Sequence, residues 1–346
     1  PSRSPSKAES TEMRQTRSTV NLTHPMAVLA TSAAAVLALS ACSGAPSGET
    51  PTGDSDQQEI VDITVGVMPA SEIAGLQVGI DEGFFEEEGL NVTTQFAAGG
   101  SALVPALIAG DVQFSFASAA QTVPALSEGL PIRVVAPAAT SGENQSLIVS
   151  ADSPFTSVED LAGKRIGVVL VNSLADFLTR GTFEEAGLAA TDFEPLEIAY
   201  PDAFAALEAG RTDAAFISEP FQTTAVQAGA RIIAYPFLEV NGGDPLVSTE
   251  WITTNQYAES NPDVVERFER AILKANAYAS ENEQAARDAV RTLLPDVDPD
   301  VLADMVLPTW PTEFDPDSYE VIIGLLTNYG TLTDPPSIED ILPAEG

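Results

Sequence analysis

The 346-residue chain carries 15 Lys and Arg against 51 Asp and Glu, a formal net charge of −36, with one cysteine and one histidine. So acidic a chain offers no basic footprint for phosphates, which excludes nucleic acid as a partner. Cys42 stands alone, which excludes disulfides, CxxC redox pairs and cysteine zinc sites; His24 lies ahead of it, so the part after Cys42 holds no His triad and no His-ligated metal. The acidity suits either a salty or alkaline habitat or a well-solvated surface that resists association.

In chain order, Arg14 and Arg17 precede an apolar, Ala-rich run at 26–41. That run is shorter than the roughly 20 residues that span a bilayer. It ends Leu39-Ser40-Ala41-Cys42, so residues 1–41 read as a secretory leader, with Met13 a candidate start. Residues 42–59 are rich in Ser, Gly, Pro, Thr and acid and read as a flexible tether. Strands follow at 63–67, 91–96, 112–116 and 132–136, with a helix at 76–83 and another opened by Gly99-Gly100-Ser101 and stopped at Gly110. A second set comprises a short helix at 157–161, a strand at 165–169, a helix at 173–185, and strands near 196–199, 214–217 and 231–235. The chain then returns to the first set near 246–253. Helices are expected from Asn261-Pro262 and at 283–294, 299–306 and 318–328; Val264, Val265, Phe268, Ile272, Ala275 and Tyr278 form one apolar face of the first.

The two sets are copies. Ala106-Leu107-Ile108-Ala109-Gly110 recurs as Ala206-Leu207-Glu208-Ala209-Gly210, and Phe116-Ala117-Ser118 as Phe216-Ile217-Ser218, at a spacing of roughly 100 residues. A repeat that long is a lobe with its own core, not a solenoid unit. The pattern implies two α/β lobes, each a parallel sheet covered on both faces: lobe one from 60–146 plus 249–346, lobe two from 147–248. A cleft between lobes is a preferred ligand site.

Ligands of open α/β sheets bind beyond the carboxyl ends of the strands. The candidates in lobe one are Met68, Ser71, Gly100, Ser101, Ser118, Gln121 and Thr140. In lobe two they are Asn172, Ser173, Asp202, Ser218 and Glu219, with Tyr200 nearby. Gly100-Ser101 and Asn172-Ser173 place backbone N–H groups at helix starts, which attract anions; alternatively Ser101 and Ser173 only cap their helices. Glu219 is either an acceptor for a ligand amine or a hinge carboxylate, and Trp251 is either a cleft wall or core. The candidates include no Lys or Arg, and Arg180 lies about two turns into its helix. A strong anion would have to rely on N–H groups and hydroxyls, whereas Asp202 and Glu219 favour a neutral or cationic ligand.

Several segments resemble a known family in order and spacing over 63–341. They are Asp81-Glu82-Gly83-Phe84-Phe85 with Gly89-Leu90, the Ala-Leu-x-Ala-Gly helix ends, Asp160-Leu161-x-Gly163-Lys164-x-Ile166-Gly167-Val168, Ser218-Glu219-Pro220 and Asn261-Pro262-Asp263. The family is that of ABC-importer solute-binding proteins in the nitrate, sulfonate, taurine and thiamine-pyrimidine group. The resemblance implies an α/β type II periplasmic binding protein fold of two similar doubly wound lobes. It implies closure over a small organic solute, delivery to an ABC permease and ATPase, a monomer, no enzymatic activity and no cofactor. Cys42 resembles the lipobox cysteine of bacterial lipoproteins, implying a lipid anchor on the extracytoplasmic face of the cell membrane. Relatives in the pyrimidine-forming branch are enzymes that depend on a His, which the chain after Cys42 lacks; a ligand sensor is the remaining alternative.

Overall fold

The two sequence copies fold into two five-stranded sheets with matching strand orders. The computed structural model describes residues 60–97, 100–330 and 332–343, the side chains of Gly100 and Ser101 excepted. The leader, the tether, Cys42 and Gly99 lie outside the described residues.

Lobe one begins with β1 (Val61–Val67), whose β-branched residues alternate into the core. A 3₁₀ turn at Ser71–Ile73 leads into α1 (Ala74–Asp81), followed by α2 (Phe84–Glu87) and β2 (Leu90–Phe96). Then come α3 (Gly100–Ala109), β3 (Phe114–Ser118), α4 (Ala119–Ser127) and β4 (Ile132–Ser141). Residues 142–144 cross to lobe two, which opens with β5 (Gln145–Val149). It continues with β6 (Lys164–Val168), α5 (Leu174–Glu185), β7 (Phe193–Glu197), α6 (Tyr200–Glu208), β8 (Ala214–Ser218), α7 (Phe221–Gln227), β9 (Arg231–Ala234) and α8 (Pro236–Glu239). The return strand β10 (Leu246–Thr254) joins the first sheet. After it run α9 (Asn255–Ser260), α10 (Pro262–Glu281), α11 (Glu283–Leu293), α12 (Pro299–Asp304), α13 (Pro316–Asn328) and α14 (Ile338–Ile341).

The first sheet is ordered β2-β1-β3-β10-β4 and the second β7-β6-β8-β5-β9. The internal copies match down to single hydrogen bonds. Thr64 N–H donates to the Gln113 side chain at 2.8 Å, and Arg165 N–H donates to Asp213 Oδ2 at 2.9 Å, one at the same place in each lobe. Gly110 and Gly210 end the equivalent helices α3 and α6 at φ +82° and +62°, a conformation that favours a residue without Cβ.

The expectation of purely parallel sheets is corrected by the register. β10 runs antiparallel to β3 and β4, and β5 antiparallel to β8 and β9, so both sheets are mixed. The two strands reached from the other lobe, β10 between β3 and β4 and β5 between β8 and β9, are the reversed ones, and direction is not encoded in an apolar run. β5, α4 and α7 have no predicted counterpart.

Two packing regions hold the lobes. In lobe one, α10 lays Val264, Phe268, Ile272 and Ala275 on α1 and the sheet, and Phe268 stacks on Phe114 at 3.9 Å. Gly75 permits the close approach of α1 to α10, since a Cβ there would lie 2.3 Å from Asn276 Oδ1. Trp251 is core: it is 1% exposed and packs edge-on against Phe116 and Phe268. In the second region α13 packs against both lobes. Its Tyr319 hydroxyl donates to the buried Glu250 carboxylate on β10. Farther along, Tyr329 stacks on Phe177 of α5 at 5.7 Å and donates to Glu184 at 2.8 Å.

Candidate functional site

A cavity of about 580 Å³ lies between the lobes, beyond the carboxyl ends of β1, β3, β6 and β8. It is where the strand-end rule locates ligands, because there the helices diverge from the sheet and leave room. Lobe one contributes Met68 and Ser71 from the turn after β1, Ser118 from β3 and Gln121 from the first turn of α4. Lobe two contributes Asn172 and Ser173 ahead of α5, Ser218 at the end of β8, and Glu219. Ser118 and Ser218, at matched strand ends, thus line one cavity from opposite lobes. Aromatic rings form much of the wall: Phe116, Phe177, Tyr200, Phe221 and Phe237. A wider groove of about 870 Å³ lies at the amino end of β4, beside α4 and residues 334–343. Being at the opposite pole of the strands, it does not share the strand-end geometry.

Two sequence candidates lie off the cavity. Thr140 is paired through its backbone with Thr309, donating at 2.9 Å and accepting at 3.2 Å. Asp202 sits exposed in the first turn of α6. The Gly100 and Ser101 side chains are outside the described residues. The cavity also takes in residues the strand-end rule missed. Gln145, Ser248 and Thr249 come from the crossing strands β5 and β10, and Leu294 and Val297 follow α11. Only knowledge of the crossings could have found those. Glu72 was one position beyond the turn already singled out, and its charge within an apolar stretch was the available signal.

Local hydrogen bonds hold these side chains. Asn172 adopts φ +62°, which Asn tolerates better than most residues, and its N–H donates to Asp176 Oδ2 at 2.9 Å. Ser173 occupies the N-cap position of α5, but its hydroxyl donates backward to the Leu170 carbonyl at 2.6 Å instead of capping. Arg180 is turned away from the cavity, paired with Asp176 at 3.1 Å and bonded to the Ala190 carbonyl. Glu219 precedes a cis peptide bond to Pro220 and is 7% exposed. Its Oε1 accepts from Thr223 Oγ1 at 2.8 Å, Gln222 Nε2 at 3.2 Å and Val306 N–H at 3.1 Å, while Oε2 accepts from Thr223 N–H at 3.1 Å. Val306 follows α12, so this carboxylate ties lobe two to the C-terminal segment; Gln227 and Asp304 make a second such tie at 2.9 Å.

The electrostatics are one-signed. Burial pushes the Glu72 carboxyl above the ordinary carboxylate range, with its own N–H and the Ser71 hydroxyl partly offsetting this. Burial also raises Glu219 against four donated hydrogen bonds. The Tyr200 phenol is raised by burial and then by the Glu72 charge across the cavity. No Lys, Arg or His lines the cavity among the described residues.

Two α/β lobes with matching sheets and a cavity between their strand ends define a two-lobed binding protein of the type II periplasmic fold. The family model described as NMT1/THI5 like matches residues 70–286, and the chain belongs to that family. The taurine-binding periplasmic protein of Escherichia coli is 26% identical over 219 residues, 63% of this chain and 67% of the relative. The formylaminopyrimidine-binding protein of Halalkalibacterium halodurans is 25% identical over 326 residues, 88% of this chain and 94% of the relative. Among solved structures, the periplasmic aliphatic sulphonate binding protein SsuA of Escherichia coli superposes with a TM-score of 0.68 at 16% identity. That superposition covers 82% of this chain and 92% of SsuA, a likeness of fold. These curated relatives are binding proteins, and this chain is a solute-binding protein.

Proposed function

We propose that this chain is the extracytoplasmic binding component of an ABC importer, holding a small organic solute in the cavity between its lobes. The observation that carries the reading is the cavity itself, lined by equivalent strand ends of both lobes. A ligand touching both sides stabilises the closed arrangement relative to the open one, and closure is the signal a permease reads. Met68, Ser71, Ser118, Gln121, Asn172, Ser173, Ser218 and Glu219 are proposed contacts, on the strength of their place in the wall. The His-dependent chemistry of the pyrimidine-forming branch is not open to it, since no histidine follows Cys42, and binding alone is the role proposed. It works as a monomer beside its permease and ATPase.

The leader and the lone cysteine support anchoring through a lipid on Cys42, with residues 43–59 as a tether. Among the described residues no helix is long and apolar enough to cross a membrane. Thermal unfolding of the detergent-solubilised full chain with sulfonates, taurine, nitrate and pyrimidines tests the binding reading, because a ligand of the folded state raises Tm by mass action. A flat response to every class would count against it. Labelled fatty-acid incorporation that survives Cys42→Ser would refute the anchor.

A further inference from the structure

Sulfonate, nitrate and pyrimidine ligands differ above all in charge, and the cavity carries a consistent preference. Helix starts ordinarily favour anions, because their N–H groups are unpaired and the dipole is positive there. Among the described residues, three of the starts around the cavity already hold carboxylates of the chain. Glu72 sits in the turn that opens α1, and Asp176 lies in the first turn of α5, accepting from Asn172 N–H. Glu219 accepts from the Thr223 N–H in the first turn of α7. Glu250, fully buried on β10, accepts from the Tyr319 hydroxyl of α13. Asp176 is neutralised by Arg180, and Glu219 is bonded four times over.

Glu72 is different. Within the described residues its carboxylate receives only the Ser71 hydroxyl at 3.2 Å and its own N–H, and no cation stands beside it. The Trp310 indole donates to the Glu72 carbonyl at 3.1 Å and fixes the turn that presents it. The Tyr200 phenol of lobe two feels the Glu72 charge, and Phe177, Phe221 and Phe237 of lobe two line the same cavity, an aromatic wall of the kind that suits a flat organic cation.

We propose that the cavity selects a nitrogen-bearing organic cation over an anion, and that Glu72 is the residue that reads this charge. The proposal rests on the binding-protein reading and sharpens it to a substrate class. A ligand ammonium or amidinium beside Glu72 supplies the missing counter-charge, whereas a sulfonate adds a second negative charge to a space without a cation.

The test is isothermal titration of the full chain in detergent with three probes on one frame. They are an aminomethylpyrimidine, its N-formyl derivative and the corresponding pyrimidinylmethanesulfonate, with ethanesulfonate and taurine alongside. The cation is expected to bind tightest, the neutral amide next and the sulfonates weakest. Glu72→Gln is expected to weaken the cation about tenfold or more while changing the amide by less than about threefold. Burial holds the Glu72 carboxyl above the ordinary carboxylate range, so cation affinity in the native chain rises with pH as Glu72 loses its proton, and this rise flattens in Glu72→Gln. Glu219 and Tyr200, the other titratable groups of the wall, are present in both proteins and cannot produce that difference. Tightest binding of a sulfonate overturns the charge inference and leaves the binding reading standing. A cation affinity indifferent to Glu72→Gln overturns the role of Glu72. Binding of none of the five removes both readings together. The ranking in the native chain needs no variant, so it holds the proposal to account even if Glu72→Gln fails to fold.

Discussion

Lobe one and lobe two share a strand order and differ in what supports it. The sheet of lobe one is backed by α10 and α11 through α1, with Phe268 stacked on Phe114 in the middle of that face. The lobe-two sheet is backed by α5, and α5 in turn leans on α13, a helix that also packs on lobe one. The difference teaches that a duplicated pattern is enough to specify a sheet, while the unduplicated C-terminal helices decide how the two sheets are coupled. A ligand between the lobes works against that coupling when they move, so the strength of the α13 contacts bears directly on closure.

The comparison is broken most severely at Phe268. Phe268→Ala removes a stacked ring from the lobe-one buttress and is expected to cost about 3–5 kcal/mol in urea unfolding. Because α13 ties the lobes, the loss should appear in one cooperative transition; a separate early transition for lobe one would show that the coupling is weak.

Next in size is Glu250, which is fully buried and raised to about 7 by burial, against the opposing Tyr319 hydrogen bond. A carboxyl whose pKa is higher in the folded state binds its proton more tightly there, so stability is greatest below the unfolded value near 4.5 and declines as pH rises through about 7. Glu250→Gln keeps an acceptor for Tyr319 without the charge. It is expected to raise stability by about 3 kcal/mol at pH 8 and to change it little at pH 4, read from unfolding at both pH values. An equal effect at the two pH values would show that burial of the charge is not the cause.

The duplication itself is tested by a matched pair. Gly110→Ala and Gly210→Ala each place a Cβ at a positive-φ helix end and should each cost about 1 kcal/mol. Unequal costs by thermal unfolding would mean that the two helix ends are not equivalent. The smallest effect is expected at Tyr329→Phe, which removes an exposed hydrogen bond to Glu184 and should cost about 0.5 kcal/mol. A change in ligand affinity larger than this change in stability would place the α13–α5 contact on the closure path.

Much of this molecule was legible before any coordinates. The repeated Ala-Leu-x-Ala-Gly ends and Phe-x-Ser strands marked two copies because local signals survive on their own: a glycine stops a helix wherever it falls, and β-branched runs pair wherever they meet. The strand-end rule carried Met68, Ser118, Asn172 and Ser218 to the cavity wall. It carried Thr140 and Asp202 away from it, because the bulged end of β4 pairs with Thr309 and α6 turns its first acid outward.

The chain by itself determined the two lobes, their parallel strand pairs and the lack of cationic side chains near the cleft, all properties of composition and short-range pattern. Tertiary structure alone decided that β5 and β10 run antiparallel, that Gln145, Ser248 and Thr249 reach the cavity, and that Arg180 is spent on Asp176. It also decided that Glu219 is satisfied by four hydrogen bonds while Glu72, in the same wall, receives only the Ser71 hydroxyl from another side chain among the described residues. Strand direction, crossing points and the burial of a charge depend on partners distant in sequence, and a local pattern carries no record of them.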